Sequence, residues 1–148
     1  MSRGYIEFIS GEAFSGKTSL MLKKIAVAGG KSLVITPAFF DAENPCLVGQ
    51  IQSHDGESHP AVAAESADDL DVFAYGAYDF LFVDDVHLFK KDISGFIFGM
   101  AEAGTSVIVA GERFDAFGNW HAKSFLIAKR ASTFINLGEG KSLGLNIA

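Results

Sequence analysis

Short apolar runs recur along the chain and alternate with stretches whose apolar positions fall at helical spacing. Residues 5–9 alternate in polarity and read as a first strand. A glycine-rich loop follows. Leu20, Leu22, Ile25 and Val27 then recur among Lys23 and Lys24, which predicts a helix over 18–28, ended by Gly29-Gly30. Residues 32–36 (SLVIT) read as a buried strand stopped by Pro37. Residues 38–59 look like loop, with turn signals at Asn44-Pro45 and His54-Asp55-Gly56.

Residues 61–64 predict a short strand. Ser66-Ala67-Asp68-Asp69 reads as a helix start, because an acidic side chain lies three positions after a hydroxyl; Gly76 keeps that helix short. Phe80-Leu81-Phe82-Val83 is an unbroken apolar run tipped by Asp84-Asp85, the pattern of a central parallel strand. A helix over 93–103 ends at Gly104. Residues 106–110 (SVIVA) are another buried strand, residues 125–128 close a helix, and 133–137 make a last strand. Strands alternating with helices predict an α/β fold, a parallel sheet with helices on both faces, in a single domain over 1–148. The stretch from 137 to 148 has only Leu143, Leu145 and Ile147 to pack, so it reads as an edge strand or a flexible tail.

Composition narrows this picture. The chain is 49% hydrophobic and 20% charged over 148 residues, as in a globular domain. Its net charge of −6 makes no electrostatic case for a nucleic-acid surface or an anionic membrane, so a polyanionic ligand would need a local positive site. Cys46 is the only cysteine, which predicts neither an intramolecular disulfide nor a cysteine-built zinc site. The first apolar run is too short for a signal peptide, and no run approaches a membrane span, so the expected location is cytoplasmic.

The chemistry lies in the loop after the first strand. Gly11-Glu12-Ala13-Phe14-Ser15-Gly16-Lys17-Thr18 has the Gly-x4-Gly-Lys-Thr spacing of a P-loop, between a predicted strand and a predicted helix. Glycine lets the backbone curl so that its N–H groups converge on phosphate oxygens, and the helix N-terminus adds partial positive charge. Lys17 supplies a full charge for the β- and γ-phosphates of a nucleoside triphosphate, and the Thr18 hydroxyl can ligate Mg2+. Asp84, at the end of a strand expected beside the P-loop strand, is the second metal candidate. Asp85 has three readings: a base for an acceptor hydroxyl, an orienter of water, or added negative charge.

Several segments, in order, resemble the type II thymidine kinase family. The loop ending Phe14-Ser15-Gly16-Lys17-Thr18 is similar to that family's Gly-Pro-Met-Phe-Ser-Gly-Lys-Thr/Ser. Ile35-Thr36-Pro37-Ala38 resembles its Ile-Lys-Pro-Ala, and Ser53-His54-Asp55-Gly56 its Ser-His-Asp-Gly. Val83-Asp84-Asp85-Val86-His87-Leu88-Phe89 is similar to its Ile-Asp-Glu-x-Gln-Phe-Phe, residues 107–111 to the strand before its substrate loop, and Phe117-Gly118 to the Pro-Phe-Gly beyond. The resemblance implies ATP- and Mg2+-dependent phosphorylation of a nucleoside 5′-hydroxyl. Lys17 and Thr18 would be on the phosphates and metal, Asp84 in the metal shell, and Asp85 in the place of the catalytic glutamate. It also implies a homo-oligomer.

The departures are specific. Asp85 is one methylene shorter than the family's glutamate, Ala13 replaces a methionine, His87 replaces a glutamine, and Arg113 stands near an expected acidic residue. The family's zinc-bound, thymine-enclosing lobe has no counterpart here. A P-loop ATPase and a kinase-derived nucleotide-binding or regulatory protein are therefore alternative readings to a deoxynucleoside kinase. His54 and Asp55 are candidates to approach the phosphates or simply to form a hydrogen-bonded turn. His59, His87 and His121 have no metal-ligand spacing. Phe80, Phe82, Phe96 and Phe98 read as core, and Phe114, Phe117 and Trp120 as candidates to stack on a base.

Overall fold

The structure, a computed structural model, describes residues 4–12, 15–38, 49–53 and 55–137. The elements run β1 (Ile6–Gly11), α1 (Lys17–Val27), β2 (Ser32–Pro37), β3 (Gln50–Gln52), β4 (Ser58–Pro60), β5 (Val62–Ala64), β6 (Phe80–Val83), α2 (Ser94–Glu102), β7 (Ser106–Gly111), α3 (Ala122–Arg130) and β8 (Thr133–Leu137). Six strands form one sheet in the order β5-β2-β6-β7-β1-β8, and every neighbouring pair is parallel.

Strand periodicity assigns the two faces. In β1, Ile6 and Phe8 point to one side, where they meet Leu81, Val83, Val107 and Val109 under Phe96, Ile97 and Met100 of α2 and Ile127 of α3. Ile9, one residue on, points to the other side with Phe82, Ile108 and Ala110, under Met21 of α1 and Ile51 of β3. Helices thus cover both faces, as the alternation of strands and helices predicts. Each fully buried aliphatic or aromatic side chain contributes roughly 1.5–3 kcal/mol, so these two layers supply the main driving force. The salt bridge from Lys24 of α1 to Glu7 of β1, at 3.1 Å, sits at the margin of the second layer.

Three local expectations are corrected. The acidic strand is not beside the P-loop strand: β7 lies between β6 and β1. Residues 38–59 are not loop throughout, since β3 and β4 form an antiparallel hairpin that pairs Ile51 with His59. The segment after Ser66 is a single 3-10 turn over Ala67–Leu70. There the Ser66 hydroxyl accepts from the Asp68 N–H at 3.3 Å, and Asp69 accepts from the Glu65 N–H at 2.8 Å. The capping signal is satisfied, but only Leu70 of the turn is buried, so no apolar stripe extends it. Phe82 and Phe96 are core, while Phe80 and Phe98 are partly buried against it. Ala13, Phe14, Cys46, His54 and the stretch 138–148 lie outside the described residues.

Candidate functional site

The C-terminal ends of β1, β6 and β7 open onto one cleft of about 530 Å³, lined among others by Gly16, Lys17, Thr18, Asp55, Asp85, His87 and Glu112. Open parallel sheets bind ligands outside the carboxyl ends of their strands, and this volume suits a small organic molecule.

The loop after β1 builds one wall. Gly16 has φ 98°, a left-handed conformation that glycine adopts without steric cost, and it delivers Lys17 and Thr18 to the first turn of α1. The Lys17 side chain folds back over the loop, its Nζ donating to the Glu12 carbonyl at 2.9 Å. Lys17 is buried, so its charge stays close to the loop's backbone. The Ser15 N–H donates to the same Glu12 carbonyl at 3.1 Å. Gly11 ends β1, and Ser15 and Gly16 lead into the N-terminus of α1 with Lys17 and Thr18 in its first turn, the kind of helix end that attracts anions.

The acidic strand end builds the second wall. The Thr18 hydroxyl lies 3.3 and 3.4 Å from the two carboxylate oxygens of Asp84. Asp84 is 3% exposed. Burial and, next, the charge of Asp85 push its pKa up to about 7, against the opposing pull of Thr18 and Lys17. A buried carboxylate beside a hydroxyl and a lysine is short of positive charge. Mg2+ takes one or two carboxylates and completes its shell with phosphates and water, so Thr18 and Asp84 fit it. Among the described residues no group of three or more His, Cys, Asp or Glu is placed to hold a metal ion.

Asp85 has φ 46° and ψ 52°, alone among the described non-glycine residues in having a positive φ. Aspartate tolerates this left-handed region better than most residues, and such strain clusters at functional sites. The twist starts the 3-10 turn Val86–Leu88. Burial raises the Asp85 pKa most, Lys17 opposes that shift, and Glu112 adds to it.

Glu112 is a site residue that sequence reasoning missed. It follows β7 directly, just as Asp84 follows β6, so an acidic residue at the tip of a second apolar run was the available signal. Of the histidines, which have no metal-ligand spacing in sequence, two meet here: the rings of His87 and His121 are 5.0 Å apart. Their Nε2 atoms lie 3.7 and 3.8 Å from the two Glu112 carboxylate oxygens. The Glu112 N–H donates to His87 Nδ1 at 3.1 Å, which leaves the ring proton on Nε2. Burial, then His121, Lys17 and Lys123, push the His87 pKa down to about 4. Gly111 permits this packing, because a Cβ there would stand 2.8 Å from Val86 Cγ1 and 3.5 Å from His87 Nδ1.

Other candidates go elsewhere. Phe114 and Trp120 pair across the 112–121 loop with rings 5.2 Å apart, and Trp120 packs edge-on to Phe125 at 5.4 Å. Neither lines the cleft, and Phe117 is 88% exposed at the loop tip. Asp55 does reach the cleft, in a turn where it accepts a hydrogen bond from the Ser53 hydroxyl.

A model of the thymidine kinase family matches residues 4–138. The chain belongs to the thymidine kinase family. Within that family it is 32% identical over 112 residues to a thymidine kinase of Mesomycoplasma hyopneumoniae (strain 7448), covering 73% of this chain and 59% of the relative. A thymidine kinase of Mycoplasma mobile is 28% identical over 113 residues, covering 74% and 55% respectively. The match thus takes in little more than half the length of these relatives. Among solved structures, a chain from a study of two coordinating Pif1 helicases on forked DNA aligns with a TM-score of 0.47 and 17% identity, over 93% of this chain and 40% of that one. A likeness at that level carries no argument about function.

Proposed function

We propose that the protein is a deoxynucleoside kinase that transfers the γ-phosphoryl group of ATP to the 5′-hydroxyl of a nucleoside, thymidine being the acceptor named for its relatives. The observation that carries this reading is the contact between Thr18 and Asp84, which joins the phosphate loop to the acidic strand end and leaves Asp85 facing the same cleft.

In this reading the backbone of residues 11–18, including Ala13 and Phe14, wraps the triphosphate, and Lys17 neutralises charge that develops on the transferring group. Thr18 and Asp84 would hold Mg2+, which supplies charge neutralisation at the β- and γ-phosphates. Asp85 accepts the proton of the 5′-hydroxyl as its oxygen bonds to the γ-phosphorus and the bond to ADP breaks. Burial supports that role, since a carboxylate with a raised pKa is a stronger base.

The test offers labelled ATP, Mg2+ and a panel of nucleosides to the full chain, with Lys17→Ala as control. A labelled nucleoside monophosphate, absent with the control, is the expected result. Retained ATP binding with no acceptor labelled would overturn the kinase reading and leave a nucleotide-binding module.

A further inference from the structure

We infer that Glu112 holds the sugar of the acceptor by accepting a hydrogen bond from its 3′-hydroxyl, and that His87 and His121 position the Glu112 carboxylate for this. The inference rests on the kinase reading above and adds to it a residue that neither the loop nor the acidic strand end contains.

The placement follows from the sheet. Strands β6 and β7 are neighbours, in a register that sets Val83 opposite Val109. β6 ends at Val83 and β7 at Gly111, and Asp85 and Glu112, each just past the end of its strand, line the same cleft. Neighbouring strands lie about 4.8 Å apart, so Glu112 stands about one pentose from the base that faces the attacking hydroxyl. At that range the groups a carboxylate meets are the sugar's other hydroxyls rather than the nucleobase. An ionised carboxylate only accepts hydrogen bonds, so its ligand must be a donor.

The surroundings fix the backbone of Glu112 and set an imidazole on either side of its carboxylate. Its backbone is pinned twice, by the N–H donated to His87 Nδ1 at 3.1 Å and by the carbonyl that accepts from the Ser124 hydroxyl at 2.8 Å. Its two oxygens each face an imidazole Nε2, at 3.7 and 3.8 Å. These distances exceed hydrogen-bond length, so the oxygens keep capacity for a further donor from the cleft.

The experiment is a cycle of two protein forms and two acceptors. Wild type and Glu112→Leu are each assayed with the accepted nucleoside and with its 3′-deoxy analogue, and KM is read for nucleoside and for ATP. In wild type, loss of the 3′-hydroxyl should raise the nucleoside KM about ten- to hundredfold, the range for a hydrogen bond to a charged group. In Glu112→Leu the parent nucleoside should show that same rise, the 3′-deoxy analogue should show no further penalty, and the ATP KM should be unchanged. His87→Gln should move the nucleoside KM in the same direction and leave the ATP KM alone. If Glu112→Leu does not fold, Glu112→Gln runs the same cycle with a weaker acceptor. An equal 3′-deoxy penalty in both proteins would overturn the inference and leave the kinase reading standing. A wild type that labels no nucleoside would remove both.

Discussion

The Thr18 hydroxyl lies 3.3 Å from the carboxylate of Asp84, a contact spanning 66 positions of sequence and one intervening strand. It ties the first turn of α1 to the end of β6. The consequences differ for each residue around it.

Lys17 is expected to matter for ligand far more than for folding. Among the described residues its side chain donates to the Glu12 carbonyl, inside its own loop. Lys17→Ala should lower phosphoryl transfer by about two to three orders of magnitude, the scale for removing a charge-stabilising donor. Its unfolding midpoint without nucleotide should stay close to wild type. A phosphoryl-transfer assay with labelled ATP and a thermal melt without nucleotide check the two halves.

Asp84 should cost stability at neutral and alkaline pH. Its folded pKa is raised from 3.8 to about 7, so between those values the folded state binds more protons than the unfolded one. Stability from this group is therefore fully present near pH 4, is lost as pH rises to about 7, and stays lost above. Asp84→Asn removes that loss while its amide oxygen can still accept from Thr18. Without nucleotide or Mg2+, the variant should melt higher than wild type at pH 8, with the difference shrinking at pH 5. Its Mg2+-dependent nucleotide binding should fall. A variant no more stable at pH 8 than at pH 5, relative to wild type, would sink this account.

Asp85 combines an unusual backbone with a chemical task, and two substitutions separate them. Asparagine tolerates φ 46° but cannot take a proton, so Asp85→Asn should lose no stability, gain some at neutral pH as a buried charge is removed, and keep ATP affinity while kcat drops about 10²- to 10⁴-fold. Asp85→Val places a β-branched residue in the left-handed region and should destabilise by about 1–3 kcal/mol. Denaturant titration measures the second effect and steady-state kinetics the first.

His87 should make the fold acid-sensitive. Its folded pKa is about 4 against 6.5 for an unperturbed imidazole, so the unfolded state binds more protons between these values. The neutral ring's contribution is fully present above about pH 6.5 and is lost as pH falls towards 4. Protonation would also remove the Nδ1 lone pair that accepts the Glu112 N–H. His87→Gln carries no such titration. Melting temperatures at pH 7.5 and 4.5 should fall further for wild type than for the variant, and parallel slopes would refute this.

The sequence alone determined whatever depends on neighbours along the chain. Gly11 to Thr18 announced a phosphate loop because its spacing is a local device, a strand, a turn and a helix N-terminus within a few residues. The apolar runs at 80–83 and 106–110 announced buried strands, since only a sheet covered on both faces needs continuous hydrophobicity. The segments shared with thymidine kinases were legible for the same reason. What the tertiary structure decided is set by strand order. Insertion of β7 between β6 and β1 is not written in any local pattern, because the strands beside a given strand are chosen by how whole layers pack. That order brings Glu112 to the cleft and sets His87 against His121. Each of these side chains is ordinary in its own stretch of sequence. Their meaning comes from residues well separated in sequence, brought to one end of the sheet by burial of apolar surface that does not involve them.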